Sequence, residues 1–531
     1  MKSLLRDFAI ALSLANLWFY PVWARLLPGA YGHYYLKNPP TPPTNAGAML
    51  AVGLSASIFW IAFRFARRSG SARVLLLARL TFLVVFLLAL NGIRYHYHMQ
   101  FSPAAPWLDT FWRMLLVLAA LGALFLGRRV IRYALTVSLI LFPFAAVTLS
   151  QATWTIFKSQ MGIPFSEFSD KPTAALLPTN PGGRRVIWFL FDGLDQLIAF
   201  SDRPAEVNLP NLDRFRSEAV YAPYAYSSAG STLLSIPALL TGRPIDQARP
   251  LRADELRIRF SDTQQQAKWS TQPNVFSRVR DLGLNTALVG YHHPYGRVLA
   301  KDLVACVWVA DRWDSLEMDN PAVSIPEAAF CLTVTSAGAF YYSLPFVWRF
   351  KGFSELETLL QRRGRLPARL TEHIQNYQIV LEEAKRVSVD PTFQMVFVHW
   401  PVPHHPYIYE QARGEFSREK ETSYVDNLIL TDQALGEIRS AMEKAGVWDD
   451  TVVLITADHG YGRDPYTSSR RGHVPFLLKL SHQREMVICP TPFFTLLIPD
   501  LILALLQEKR TDPDFVLTWI ERTPWKKSPS S

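Results

Sequence analysis

Residues 451–460 read TVVLITADHG. Six residues rich in β-branched side chains predict a buried strand. The run stops at Asp458-His459-Gly460, where a carboxylate and an imidazole stand together before a turn. Other segments repeat the plan. VIWFLF (186–191) ends at Asp192-Gly193, QMVFV (394–398) ends at His399, and TALVG (286–290) runs into His292-His293. Near-continuous apolar strands are those covered on both faces. Between them lie charged amphipathic segments, so the pattern predicts an α/β domain with a largely parallel central sheet. Ligands bind such a sheet beyond the carboxyl ends of its strands. Carboxylates and imidazoles arriving there from distant positions are what a transition-metal site needs, and mixed N/O ligation suits zinc, with manganese as the alternative.

A hydroxyl-bearing stretch lies between these strands. SSAGS (227–231) precedes TLLSIPALLTGR (232–243), which places Thr232 at the start of an apolar helix. Backbone N–H groups and the helix dipole favour an anion there. An ordinary Ser/Thr cap gives the same pattern, so the functional reading rests on Asp192 and Asp458-His459 standing beside it. A hydroxyl close to a bound cation is a better nucleophile.

Outward from this core the composition changes. The chain has 531 residues and a formal net charge of +10. Residues 1–160 carry 15 Lys/Arg against only Asp7 and Asp109, whereas residues 161–531 carry 40 against 43. The excess therefore sits among long apolar runs, and a nucleic-acid partner is not expected. Five runs approach the length of about 20 residues that crosses a bilayer: 4–26, 46–66, 74–93, 110–126 and 133–154. Lys2 and Arg6, then Arg64, Arg67, Arg68 and Arg73, then Arg128, Arg129 and Arg132, flank alternate ends. The positive-inside rule puts these on the cytoplasmic side and everything after Lys158 on the other. The expected organisation is a five-helix transmembrane region (1–159), a linker (160–183), an α/β catalytic domain (184–522) and a polar tail (523–531). This describes a multi-pass inner-membrane protein with a periplasmic catalytic domain. Cys306, Cys331 and Cys489 lack metal-site spacing; either a Cys306–Cys331 bridge or unpaired thiols fits.

Taken together, these motifs resemble the sulfatase-like branch of the alkaline phosphatase superfamily, and their order after five spans is similar to the bacterial membrane-anchored phosphoethanolamine transferases. Thr232-x-x-Ser235-x-Pro237, nine residues before Thr241-Gly242-Arg243, resembles the nucleophile motif. His399-x4-His404-x-Pro406, Asp458-His459-Gly460 and His473 in Gly472-His473-Val474-Pro475 resemble the segments that follow it in that family. The resemblance implies a divalent metal on Asp192, Thr232, Asp458 and His459, and a phospho-threonine intermediate on Thr232. It implies that His404 and His473 act in catalysis, and that His399, His404, His473 and Ser235 bind substrate or a second metal.

A phospholipid donor and a surface glycan or lipid acceptor follow from the same likeness. Asp192 departs from the glutamate usual in those transferases and is more like the nucleotide pyrophosphatase/phosphodiesterases. A phosphodiesterase or phosphomonoesterase, or a non-catalytic sulfatase-like protein, are the alternatives. Sulfatase activity is not expected, because a threonine cannot become the formylglycine that sulfatases make from Cys or Ser.

Overall fold

The computed structural model describes residues 2–27, 35, 41–101, 129, 131–161, 169–178, 183–310, 324–343, 359, 369–418, 420–461, 472–508 and 512–523. The chain divides into two compact units. One comprises residues 1–30, 38–167 and 313–367; the other comprises residues 31–37, 168–312 and 368–531.

The first unit is helical. Residues 4–26 form α1 (Lys2–Trp18) and α2 (Tyr20–Leu26), broken at Phe19, followed by α3 (Pro42–Arg68), α4 (Ala72–Phe101) and α5 (Phe142–Gln160). Among the described residues, three helical stretches are long and apolar enough to cross a membrane: Pro42–Arg68, Ala72–Arg94 and Ile131–Lys158. The expected span at 110–126 lies outside the described residues, as do the tail from 524 and much of the linker.

The unit holds a helix not expected from the sequence. Residues 313–367 fall within the span assigned to the catalytic domain, yet they group with the N-terminal helices. Within them Ile325–Ser343 (defined after α6, Thr232–Thr241, and so α7) packs on α3 and α4. Its small side chains explain the fit. A Cβ on Gly47 would come within 2.6 Å of Ala328 Cβ, so the two backbones meet closely, as small residues permit in apolar helix pairs. Farther along, Phe340 stacks on Trp18 at 3.8 Å and Ser336 Oγ donates to the Trp18 carbonyl at 2.7 Å.

The second unit is the α/β domain. Its eight-stranded sheet contains β1 (Arg185–Asp192), β2 (Val220–Ala222), β3 (Thr286–Tyr291), β4 (Ala305–Val309), β5 (Met395–Pro403), β6 (Thr451–Ala457), β7 (Phe476–Lys479) and β8 (Val487–Ile488). Their spatial order is β8-β2-β7-β6-β1-β5-β3-β4. Only β7 runs antiparallel to its neighbours β6 and β2; the other pairs are parallel. Every residue of β1, β5 and β6 is buried, which accounts for their unbroken apolar sequences.

Register then sets up the site. Leu190 pairs with His399 on one side and Thr456 on the other, and Asp192 pairs with Pro403 after a register shift. The carboxyl ends of three adjacent strands therefore deliver Asp192, the 399–404 segment and Asp458 to one place. Cys306, Cys331 and Cys489 are all free thiols, and Cys306 and Cys331 lie in different units.

Candidate metal centre and nucleophile

Asp192 ends the central strand, and the turn after it needs Gly193, whose φ is +71°. The Gly193 N–H donates to Asp458 Oδ1 at 3.1 Å, and the His459 N–H donates to the same oxygen at 2.8 Å. The first bond ties the ends of β1 and β6 together, and the second orients the Asp458 carboxylate within its own loop. Although burial opposes ionisation of Asp458, the nearby His459 and His399 rings and the Gly193 N–H hold its carboxyl below the usual range.

Thr232 is the first residue of α6, after extended Ser231 at φ −153°. Its Oγ1 lies 3.4 Å from Asp192 Oδ1 and 3.3 Å from His459 Nε2. His459 Nε2 in turn lies 3.4 Å from Asp192 Oδ1 and 3.5 Å from Asp458 Oδ2. Such spacings are long for hydrogen bonds. They equal the edges, about 3.3–3.5 Å, of a tetrahedron with arms of about 2.0–2.1 Å, the usual zinc–nitrogen and zinc–oxygen distances.

Unpartnered atoms support the same fit. Asp458 Oδ2 and His399 Nε2 are both buried without a hydrogen-bond partner, an arrangement that calls for an explanation in a folded protein. Among the described residues, two overlapping groups could hold an ion: Asp192 with His399 and Asp458, and Asp192 with His404 and His459.

The histidine tautomers agree. His459 Nδ1 is 2.9 Å from the Gly460 carbonyl and His404 Nδ1 is 2.8 Å from the His405 carbonyl. A carbonyl only accepts, so each Nδ1 carries the proton and each Nε2 presents a lone pair. His399 Nδ1 bonds the Tyr295 hydroxyl at 2.8 Å. Burial lowers the pKa of His399 to about 4; burial, then the His405 and His459 charges, lowers that of His404 to about 3. Both rings are neutral at pH 7, as ligands must be. The donor set therefore fits a divalent metal.

Supporting residues come mainly from the helix α9, counted after α8 (Arg369–Val389), which spans Tyr424–Lys444. The Tyr424 hydroxyl donates to the Gly193 carbonyl and accepts from the Asp195 N–H, both at 2.9 Å. Asn427 Nδ2 donates to the His404 and Pro406 carbonyls at 3.1 and 3.2 Å, while its Oδ1 accepts the Ile408 N–H at 2.9 Å. Asp195 Oδ2 accepts the Tyr461 N–H at 3.1 Å and holds the loop after β6. Burial pushes the Asp195 carboxyl up, against the pull of these N–H donors.

The sequence-predicted residues thus divide. Asp192, Thr232, Asp458 and His459 meet, and His404 joins them at the rim. His399, expected to bind substrate or a second metal, belongs to the more buried ligand group. Ser235 is fully buried and donates to the Ser231 carbonyl at 3.0 Å, bracing the first turn of α6. His473 packs edge-on against Tyr226 at 4.5 Å and is a member of neither ligand group. Sequence reading missed Tyr424, Asn427 and Asp195. Asp195 sits three residues after Asp192 on the same turn, a short-range signal that could have found it.

Residues 329–488 match the family model described as Sulfatase. That stretch holds His399, His404, Asp458, His459 and His473, but neither Asp192 nor Thr232. No curated protein matches the chain.

Several solved structures are similar to it. A sulfatase from Pseudoalteromonas sp. is 13% identical, covering 62% of this chain and 68% of its own, with a TM-score of 0.42. An alkaline phosphatase superfamily protein from Vibrio parahaemolyticus is 14% identical, covering 64% and 68%, with a TM-score of 0.38. The phosphonate monoester hydrolase of Agrobacterium radiobacter is 13% identical, covering 61% and 73%, with a TM-score of 0.34.

Proposed function

We propose a function that starts from the resemblance of the chain to the sulfatase-like branch of the alkaline phosphatase superfamily, in its motifs and in the family-model match over residues 329–488. From that premise, the chain is a membrane-anchored, metal-dependent phosphoryl-group transferase acting outside the cytoplasm. It moves a phospholipid headgroup such as phosphoethanolamine to a surface lipid or glycan through phospho-Thr232. The observation that carries this reading is the position of Thr232 Oγ1, 3.3–3.4 Å from His459 and Asp192 at the start of α6.

Thr232 Oγ1 attacks the phosphorus of a phosphodiester, and the bond from phosphorus to the departing alcohol oxygen breaks. The Oγ1 proton has Asp192 Oδ1 as its acceptor. N–H groups at the start of α6 face the phosphoryl oxygens. His473 protonates the departing alkoxide, since His404 presents a bare Nε2. An acceptor hydroxyl then attacks the phospho-threonine and passes its proton to the His473 ring left neutral by the first step, while the phosphorus–Oγ1 bond breaks and Thr232 takes its proton back from Asp192. A divalent cation, zinc by preference, held by Asp192, Asp458, His459 and Thr232 would neutralise the charge that develops on the phosphoryl group.

The preference over a sulfatase rests on Thr232, which cannot supply formylglycine. The second reading, a phosphodiesterase in which water takes the place of the acceptor, is favoured by the Asp192-Gly193 pair. Surface lipids and glycans from cells with and without the chain, analysed by mass spectrometry beside a Thr232→Ala control, separate the two. A new phosphorus-bearing headgroup on an acceptor supports transfer, and loss of donor without a modified acceptor supports hydrolysis. A reporter active only outside the cytoplasm tests the orientation: it should be active fused after Lys158 and silent fused after Arg67.

A further inference from the structure

Tyr35 lies on the short connection between α2 and α3, which belong to the helical unit, yet residues 31–37 group with the α/β unit. Its side chain is fully buried in the α/β core. Its hydroxyl is 3.0 Å from His293 Nδ1, and His293 Nε2 is 3.1 Å from the backbone carbonyl of Thr232. His293 is also fully buried, at the end of β3, and its ring lies 5.2 Å from that of Trp269.

The protons in this chain have one arrangement. The Thr232 carbonyl can only accept, so His293 Nε2 carries the hydrogen. A neutral imidazole then leaves Nδ1 as an acceptor, and the Tyr35 hydroxyl must donate to it. Both polar groups sit where water does not reach, and an unpaired hydroxyl there would be costly. A phenylalanine would fill the same volume without that requirement. The Thr232 carbonyl belongs to the first peptide of α6, so whatever fixes it also fixes the direction in which Oγ1 leaves the helix.

We infer that Tyr35, between α2 and α3, is a positioning residue for Thr232, acting through His293. This rests on the reading of Thr232 as nucleophile. An error of about 1 Å in a reacting group costs up to about a hundredfold in rate, so loss of this brace lowers turnover while leaving substrate affinity alone.

The test uses the full-length chain in detergent with bis(4-nitrophenyl) phosphate as probe. Tyr35→Phe is expected to lower kcat roughly tenfold with KM within about twofold, at unchanged metal content and with the protein still folded. His293→Gln, which keeps a donor toward the Thr232 carbonyl, should retain more activity than His293→Phe. Nitrogen-15 NMR of labelled histidine should show His293 as the neutral Nε2–H tautomer, with the hydrogen bond to Nδ1 lost in Tyr35→Phe. Unchanged kcat in Tyr35→Phe, or a wild-type His293 protonated at Nδ1, overturns the inference. Thr232→Ala, run in parallel, separates the two readings. If it is inert while Tyr35→Phe is fully active, only the Tyr35 inference fails. If Thr232→Ala is active, the nucleophile assignment fails, and with it the role of Tyr35 in catalysis.

Discussion

The two candidate ligand groups share Asp192 but are built differently. His399 and Asp458 are fully buried, one inside strand β5 and the other at the end of β6, and each keeps one unpartnered atom. His404 and His459 are half-buried on loops, their rings turned by the carbonyls of His405 and Gly460. The deep group is set by sheet register; the rim group depends on loops fastened by Asn427, Tyr424 and Asp195. The deep side, with His459 reaching it from the rim 3.4 Å from Asp192 and 3.5 Å from Asp458, therefore suits permanent binding of an ion, and His404 suits contact with a substrate that comes and goes.

The largest effect expected lies between the two groups. Thr232→Ala should reduce turnover by roughly three orders of magnitude or more, since a covalent route has no substitute hydroxyl in place. Steady-state rates with bis(4-nitrophenyl) phosphate check it. Ser231→Ala should be mild, and a large loss there would shift the nucleophile by one residue.

Metal content comes next and tests the comparison itself. The purified chain should hold about one tightly bound divalent ion. Asp458→Ala together with His459→Ala should abolish it, as read by elemental analysis of folded protein. His404→Ala alone should leave most of it in place while lowering activity. Equal metal loss from His404→Ala and Asp458→Ala would erase the distinction between deep and rim.

Much of the deep side was legible in the sequence, because strands that end in Asp192-Gly193 and Asp458-His459-Gly460 advertise both the sheet and its ligands. His399 was harder to place. A histidine inside an apolar run gives no sign of which face of the sheet it occupies, and only pairing with Leu190 fixes that. Tyr35 and Asn427 carried no signal, since Tyr35 acts on the His293 ring and Asn427 on backbone carbonyls, all far away in sequence. The helix Ile325–Ser343 was missed for another reason. Its apolar run is interrupted by Ser and Thr, and its first turn carries Glu327, where the N-terminal helices carry no acid. What assigns it to the helical unit is close packing at Gly47 and Trp18, a property of its partners.

A smaller effect concerns the rim fastening. Asn427→Ala leaves the His404 and Pro406 carbonyls and the Ile408 N–H without their partner, which should cost about 1–3 kcal/mol of stability. It should lower activity more than it lowers metal content. Denaturant unfolding and elemental analysis of the same sample would reveal a loss of metal instead, contrary to this account.

A further effect is in pH. The folded-state pKa values of His399 and His404 lie below the unfolded value of about 6.5. In chelator-treated protein both states are neutral above that value, so stability is flat there. Below it the unfolded chain takes up protons that the folded chain refuses. Stability should therefore fall from pH 6.5 toward pH 4, by up to about 1.4 kcal/mol per pH unit for each ring. His399→Gln should make the decline shallower, and an unchanged slope would mean that the ring is not held neutral.

The account stands most directly on one covalent bond. Rapid acid quench of the full-length protein turning over bis(4-nitrophenyl) phosphate, followed by peptide mass spectrometry, should locate a phosphorus-bearing adduct on Thr232, absent from Thr232→Ala. An adduct on any other residue, or a wild-type enzyme that turns over with no adduct at all, would contradict it.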